Sequence, residues 1–156
     1  MELDFESLKQ EAIDAIKKNK TMVLATCADN RVTARTMSCV SNGLKIFFQT
    51  GNDTIKFKQM KENANIALCC SNMAIEGVAK FLDHPLKEKD FIEKYKKDHN
   101  GSYNTYSFMK REIVVKIEPK KITFWKYIDG NPCRDFLDLV TNKATRETYD
   151  TSDRII

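Results

Sequence analysis

Arg35 and Lys56 are the residues of this sequence whose types and spacing best suit chemistry. Arg35 stands in a nearly uncharged, strand-like run (VTARTMSCV), and Lys56 stands in the first turn of a helix-like run (TIKFKQM). Between them a further strand ends in Gln49, Thr50, Gly51, Asn52 and Asp53, a turn followed by an N-cap. The free N–H groups of a helix start and the helix dipole point at the same place, and cations beside them make an anion site. The functional reading is a phosphate clamp, with Thr50 and the helix-start N–H groups adding hydrogen bonds. The plain alternative is an arginine paired with a carboxylate and an exposed helix lysine. Residue types alone favour that alternative; the strand–turn–helix context is what speaks for the clamp.

Thr36 and Met37 follow Arg35 directly, and such a strand can present backbone groups to a flat polar ring. Without other evidence they read as core. Trp125 is the sole tryptophan, on a late strand; it can border a planar cofactor, although a lone strand aromatic is more often core. Cys69 and Cys70 are adjacent on a strand, so they face opposite ways and read as two small buried hydrophobes rather than a dithiol. The two histidines, His84 and His99, lack ligand-type neighbours at metal spacing, so no metal site is expected. Ser/His/Asp arrangements, Walker-type loops and GxGxxG are absent. No strong acid, base or nucleophile is offered, so any catalysis here rests on a cofactor.

The elements that must position these residues follow from periodicity. Phe5, Leu8, Ala12, Ile13 and Ile16 predict a helix over residues 5–19, capped by Asp4, that lids a core. Met22 to Ala28 is apolar on both faces and predicts a strand buried on both sides. Asp29-Asn30 predicts a hairpin turn. Residues 31–40 alternate, with Thr33, Arg35, Met37 and Cys39 on one face. Leu44 to Thr50 completes an expected three-strand meander. A helix over residues 54–62 follows, then strands over 65–71 and 74–82, and a helix from Pro85 to about Lys97. His99 to Ser107 reads as a loop. Arg111 to Ile117 and Lys121 to Tyr127 read as two strands around a turn at Glu118-Pro119-Lys120. The tail after Gly130 is polar, with one short apolar segment, Phe136 to Val140. Six or seven strands in series predict a mainly β fold: an antiparallel split barrel with peripheral helices, one domain over residues 1–156.

Composition narrows the function classes. The 156 residues are 42% hydrophobic and 31% charged, an ordinary globular balance with a core. A net charge of +4, from 26 basic and 22 acidic residues, suits a phosphorylated small molecule and does not call for nucleic acid. The basic stretch KEKDFIEKYKKD alternates with acids, as on a solvated helix. Nucleic-acid binding is the weakest reading, since Phe47-Phe48 with Lys45 is thin evidence for a stacking face. No apolar run approaches membrane-spanning length. Five cysteines, no CxxC, and an acidic, amphipathic start without an apolar leader lead us to expect free thiols in the cytoplasm.

The succession ARTM, IFFQTGNDTIK, KENANIALCC and AIEGVAKF, taken in order, resembles the pyridoxamine 5′-phosphate oxidase-like family of FMN-binding split β-barrels. The resemblance covers residues 21–82 and resumes weakly at KKITFWKY. It implies a homodimer with two FMN sites at the subunit interface. It also implies that Arg35 and Lys56 hold the FMN phosphate, that Thr36 and Met37 line the isoalloxazine, and that Gln49 and Thr50 contact the ribityl chain or the phosphate. Asn72 falls where the family often has a glutamine near the flavin, and Trp125 matches a cofactor-bordering tryptophan. Haem or a deazaflavin replaces FMN in some members and is the less favoured cofactor here. The chain departs from the family where the substrate phosphate is bound: Val40 stands at a lysine position, and no arginine–leucine–histidine motif follows Trp125.

These departures favour an FMN-dependent oxidoreductase or flavin reductase of unassigned substrate, taking hydride from NAD(P)H or the substrate, over the name-giving activity. The alternative from a different class is a non-catalytic flavin or haem carrier. The sequence assigns no catalytic residue.

Overall fold

The computed structural model describes residues 1–155. Helix α1 (Phe5–Lys18) opens the chain, with Asp4 accepting from the Ser7 N–H at 2.8 Å as its N-cap. Its buried stripe of Leu8, Ala12 and Ile16 lids the core, as the periodicity predicts. Strands β1 (Thr21–Ala28) and β2 (Arg31–Ser38) form a hairpin through Asp29 and Asn30, both at positive φ. Positive φ at both central residues is what a type I′ hairpin demands. Strands β3 (Val40–Asn42) and β4 (Lys45–Gly51) form a second hairpin.

Among the described residues nine strands make one antiparallel sheet. After β4 come helix α2 (Ile55–Glu62), strands β5 (Asn65–Cys70) and β6 (Met73–Phe81), a 3₁₀ turn at Pro85–Lys87, and helices α3 (Lys89–Asp98) and α4 (Asn100–Tyr106). Strands β7 (Glu112–Ile128), β8 (Asn131–Asp138) and β9 (Lys143–Thr148) complete the chain. The strand order is β2-β1-β5-β6-β7-β4-β3, with β8 and β9 continuing from β7. The first and last strands of that path are consecutive in the chain. They are separated by Cys39 alone, whose N–H donates to the Lys20 carbonyl at 2.8 Å. The path therefore returns on itself, which is the split barrel expected.

Several expected elements differ. The meander is two hairpins instead, because β4 pairs with β3 and with β7, never with β2. Strand β7 runs through Pro119 without a turn. A register shift lies opposite, at Glu76/Gly77, and Gly77 pairs with Pro119. A Cβ on Gly77 would sit 2.8 Å from the Glu118 carbonyl oxygen, so the bulge needs glycine there. The tail after Gly130, in which the sequence reading placed no element, forms β8 and β9. The expected loop at residues 99–107 is α4, whose Tyr103 packs against the buried Val40–Phe91–Tyr95–Val114 cluster. Tertiary packing there overrides the poor helix propensity of its Gly and Asn residues. The helix expected from Pro85 begins only at Lys89.

Strand β1 is buried on one face only within the single chain: Met22, Leu24 and Thr26 face inward, and Val23 is 38% exposed. Cys69 and Cys70 do face opposite ways, but Cys69 is exposed rather than core, while Cys70 packs against the main core.

Candidate functional site

A cavity of about 470 Å³ opens between β2, the β4–α2 turn and the α3–α4 segment, a volume typical of small-molecule sites. Thr36, Met37, Gln49, Thr50 and Lys56 all line it. The turn is built by threonines. Thr54 caps α2 by accepting from the Phe57 N–H at 3.2 Å, and its own hydroxyl donates to the Gly51 carbonyl at 3.0 Å. Thr50 Oγ1 lies 2.9 Å from Thr54 Oγ1. The helix starts one residue later than expected, which leaves Lys56 in its open first turn.

Arg35 does not line this cavity. It is half-buried on the inner face of β2. Its guanidinium donates to Thr26 Oγ1 at 2.8 Å, to the Leu24 carbonyl at 3.3 Å and to the Thr33 hydroxyl. Both threonine hydroxyls donate to Gln59 Oε1 at 2.6 Å, and Gln59 Nε2 donates to the Arg31 carbonyl at 3.0 Å. The guanidinium is thus oriented by neutral oxygens. Among the described residues neither Arg35 nor Lys56 joins an ion pair. Burial lowers the Lys56 ammonium below its usual range, and the nearby Arg35 charge lowers it further, against the pull of Glu112 and Asp53. The two cations repel each other, and neither is closed by an ion pair among the described residues. An entering anion would relieve that repulsion.

Residues that the sequence reading did not single out complete the walls. Gln59 holds the Arg35 network from α2; its only sequence signal is its place one turn after Lys56. Tyr95, Ser102 and Tyr106 come from the α3–α4 segment, and Arg111 and Glu112 from the start of β7. That segment is pinned to the barrel by side chains. His99 Nε2 donates to the Cys39 carbonyl at 2.9 Å, His84 Nε2 donates to the Met109 carbonyl at 2.8 Å, and Lys94 Nζ donates to the Ser41 carbonyl at 3.0 Å. Both histidines are therefore structural. Among the described residues no group of three His, Cys, Asp or Glu side chains is placed to hold a metal ion.

Asn72 and Trp125 lie outside this cavity and meet each other instead. Asn72 Nδ2 donates to the Trp125 carbonyl at 2.8 Å, and the Trp125 N–H donates back to the Asn72 carbonyl at 2.9 Å. Trp125 is partly exposed, beside Tyr127 and Tyr149, with Arg134 stacked on Trp125 and Tyr149.

The family model for pyridoxamine 5′-phosphate oxidase matches residues 8–126. No curated protein sequence matches this chain. Among solved structures, Campylobacter jejuni ChuZ superposes with a TM-score of 0.71 at 19% identity, over 91% of this chain and 63% of that one. A pyridoxamine 5′-phosphate oxidase-related, FMN-binding protein from Nostoc punctiforme superposes with a TM-score of 0.61 at 11% identity, over 95% of this chain and 97% of that one. HutZ, the haem storage protein of Vibrio cholerae, superposes with a TM-score of 0.59 at 14% identity, over 75% of this chain and 91% of that one. At these identities the likeness shows the fold.

Proposed function

That this chain belongs to the pyridoxamine 5′-phosphate oxidase-like family is the premise from which we propose a flavin-binding protein, an FMN-dependent oxidoreductase acting on a small molecule. The observation that carries the proposal is that neither Arg35 nor Lys56 joins an ion pair among the described residues. Lys56 faces the cavity from the first turn of α2, and Arg35 rests on neutral hydrogen bonds. The residues present fit a phosphate-bearing flavin. Lys56, Thr50 and the α2 N–H groups would hold the phosphate with Arg35 reinforcing the charge, Gln49 would meet the ribityl chain, and Thr36 and Met37 would line the ring. A bound flavin supplies two-electron transfer between a donor and an acceptor. The chain's own residues bind and orient it.

The proposed unit is a homodimer. The outer face of β2, β1, β5 and β6 exposes Val32 (69%), Val23, Ala34, Ala67, Cys69 and Ala74, small apolar groups on adjacent strands. A second copy would cover such a face, and would bury β1 on both sides as its composition predicts. Asn72 and Trp125 would then serve the site from the partner.

The name-giving activity is not proposed. Val40, at the position of the family's substrate lysine, is buried under α3 and cannot reach a ligand.

The absorption spectrum of freshly purified protein tests the reading, followed by that of the cofactor released on denaturation. FMN in the supernatant supports it; a colourless protein that also fails to bind added FMN overturns it. The likeness to a haem storage protein supports a second reading, a haem or flavin carrier, for which the spectrum would show a Soret band or a flavin without turnover. Steady NAD(P)H consumption with an added acceptor would favour the enzyme.

A further inference from the structure

Glu112 is a buried carboxylate in the wall of the cavity, and holding a flavin gives it no role. It is 8% exposed. Gln49 Nε2 donates to its Oε2 at 3.2 Å, and the Ser107 hydroxyl donates to Gln49 Oε1 at 2.7 Å. No described cation pairs with it. The charged and titratable groups that face it are Lys56 from α2, Asp53 from the β4–α2 turn, Arg111 beside it and Tyr95 from α3. Arg111 lies 3.8 Å from Asp53, so part of its charge is directed there. Helix α4 contributes only Ser102 and the exposed Tyr106 to this wall.

A carboxylate here sits in the same cavity as the residues proposed to hold a phosphate. Two anions sharing one cavity raise each other's proton affinity. Glu112 is predisposed to yield: burial pushes its carboxyl above the ordinary range, against the opposing charges of Arg111 and Lys56.

Resting on the flavin reading, we propose that Glu112 couples the binding of phosphomonoesters at this site to the uptake of a proton, and so makes their affinity depend on pH. As the phosphate enters, one proton from solvent forms an O–H bond on the Glu112 carboxylate. The neutral acid then donates a hydrogen bond where the anion would have repelled. No electrons move in this step. The site therefore binds a phosphorylated ligand more tightly as pH falls, while a ligand lacking the phosphate is nearly indifferent to Glu112.

The test is titration of apoprotein with FMN and with riboflavin by flavin fluorescence across about pH 5.5–8.5, for the native chain and Glu112→Gln. The native Kd for FMN is expected to rise with pH by up to about tenfold per unit above the carboxyl's pKa. Glu112→Gln should lack that component and bind FMN more tightly than the native chain at the alkaline end. Ionisation of the FMN phosphate is common to both proteins and cancels in their comparison. Riboflavin curves should coincide. Calorimetry in buffers of different ionisation enthalpy gives a second readout, with more protons taken up per FMN by the native chain than by the variant. Equal FMN slopes and equal proton uptake in the two proteins overturn the proposal while leaving the flavin reading intact. Absence of FMN and riboflavin binding by the native chain at every pH overturns both.

Discussion

Asp135 and Glu112 are both buried carboxylates on late strands, and the molecule treats them in opposite ways. Asp135, 1% exposed on β8, receives Arg146 through two hydrogen bonds at 2.6 and 2.8 Å, and Lys126 at 2.9 Å. Lys126 in turn reaches Glu11 on α1 at 2.7 Å. Burial alone would raise the Asp135 carboxyl; the Arg146 and Lys126 bonds outweigh it and hold it below its ordinary value. The bonds of Lys126 to Glu11 and Asp135 raise it against its own burial. Glu112 receives one neutral amide, and its carboxyl goes up. One cluster is complete within the chain and ties α1, β7, β8 and β9 together. The other holds Lys56, Arg35 and Glu112 without closing their charges, and perturbed groups of that kind cluster at functional sites.

The largest effect should come from breaking the complete cluster. Asp135→Ala leaves Arg146 and Lys126 with a lost anion, and should cost about 3–5 kcal/mol in denaturant unfolding. A change as small as that of a surface substitution would show that the network contributes little, and the contrast would fail. Next comes the open corner. Lys56→Ala should weaken FMN by about 1.5–3 kcal/mol while leaving the unfolding free energy of the ligand-free protein nearly unchanged. Arg35→Ala should weaken FMN similarly and also loosen the Thr26–Thr33–Gln59 network. If both variants retain FMN as tightly as the native chain, the phosphate assignment is wrong.

The pH dependence of the ligand-free protein sharpens the contrast further. Asp135 has a depressed folded pKa, so its stabilisation is present above the unfolded value near 3.8 and is lost as pH falls through the folded one. Glu112 has a raised folded pKa, so the native state holds the extra proton, and stability falls as pH rises from about 4.5 through the raised value. Denaturation midpoints followed across that window should decline, and Glu112→Gln should remove the decline. The smallest effect is that of Glu112→Gln on stability near neutral pH, expected within about 1 kcal/mol and on the stabilising side. A large loss would mean that the carboxylate is structural after all.

Much of the first half of the chain was legible. Helix α1, the β1–β2 hairpin and α2 follow from local period and turn chemistry, whereas the gathering of Thr36, Met37, Gln49, Thr50 and Lys56 at one site was what the family resemblance implied. The second half was harder for identifiable reasons. Strand β8 does alternate, with Cys133, Asp135 and Leu137 buried, but a charged residue occupies one of its inward positions and hides the period. Strand β9 buries only Ala144. Pro119 reads as a turn unless Gly77 and its bulge are known to lie opposite. Glu112 and Gln59 are single polar residues whose importance comes from partners far along the chain.

The sequence by itself determined the mainly β class, the lidding helix, the hairpin turn and the place of Lys56 in the first turn of a helix. Those depend on φ preferences, side-chain period and capping, all of which act within a few residues. Only the tertiary structure decided which strands pair, that residues 99–107 wind into a helix over the site, and which carboxylates are paired. Pairing and burial depend on contacts between residues as far apart as Glu11 and Lys126, and a charge's proton affinity is set by what surrounds it in space rather than by its neighbours in the chain.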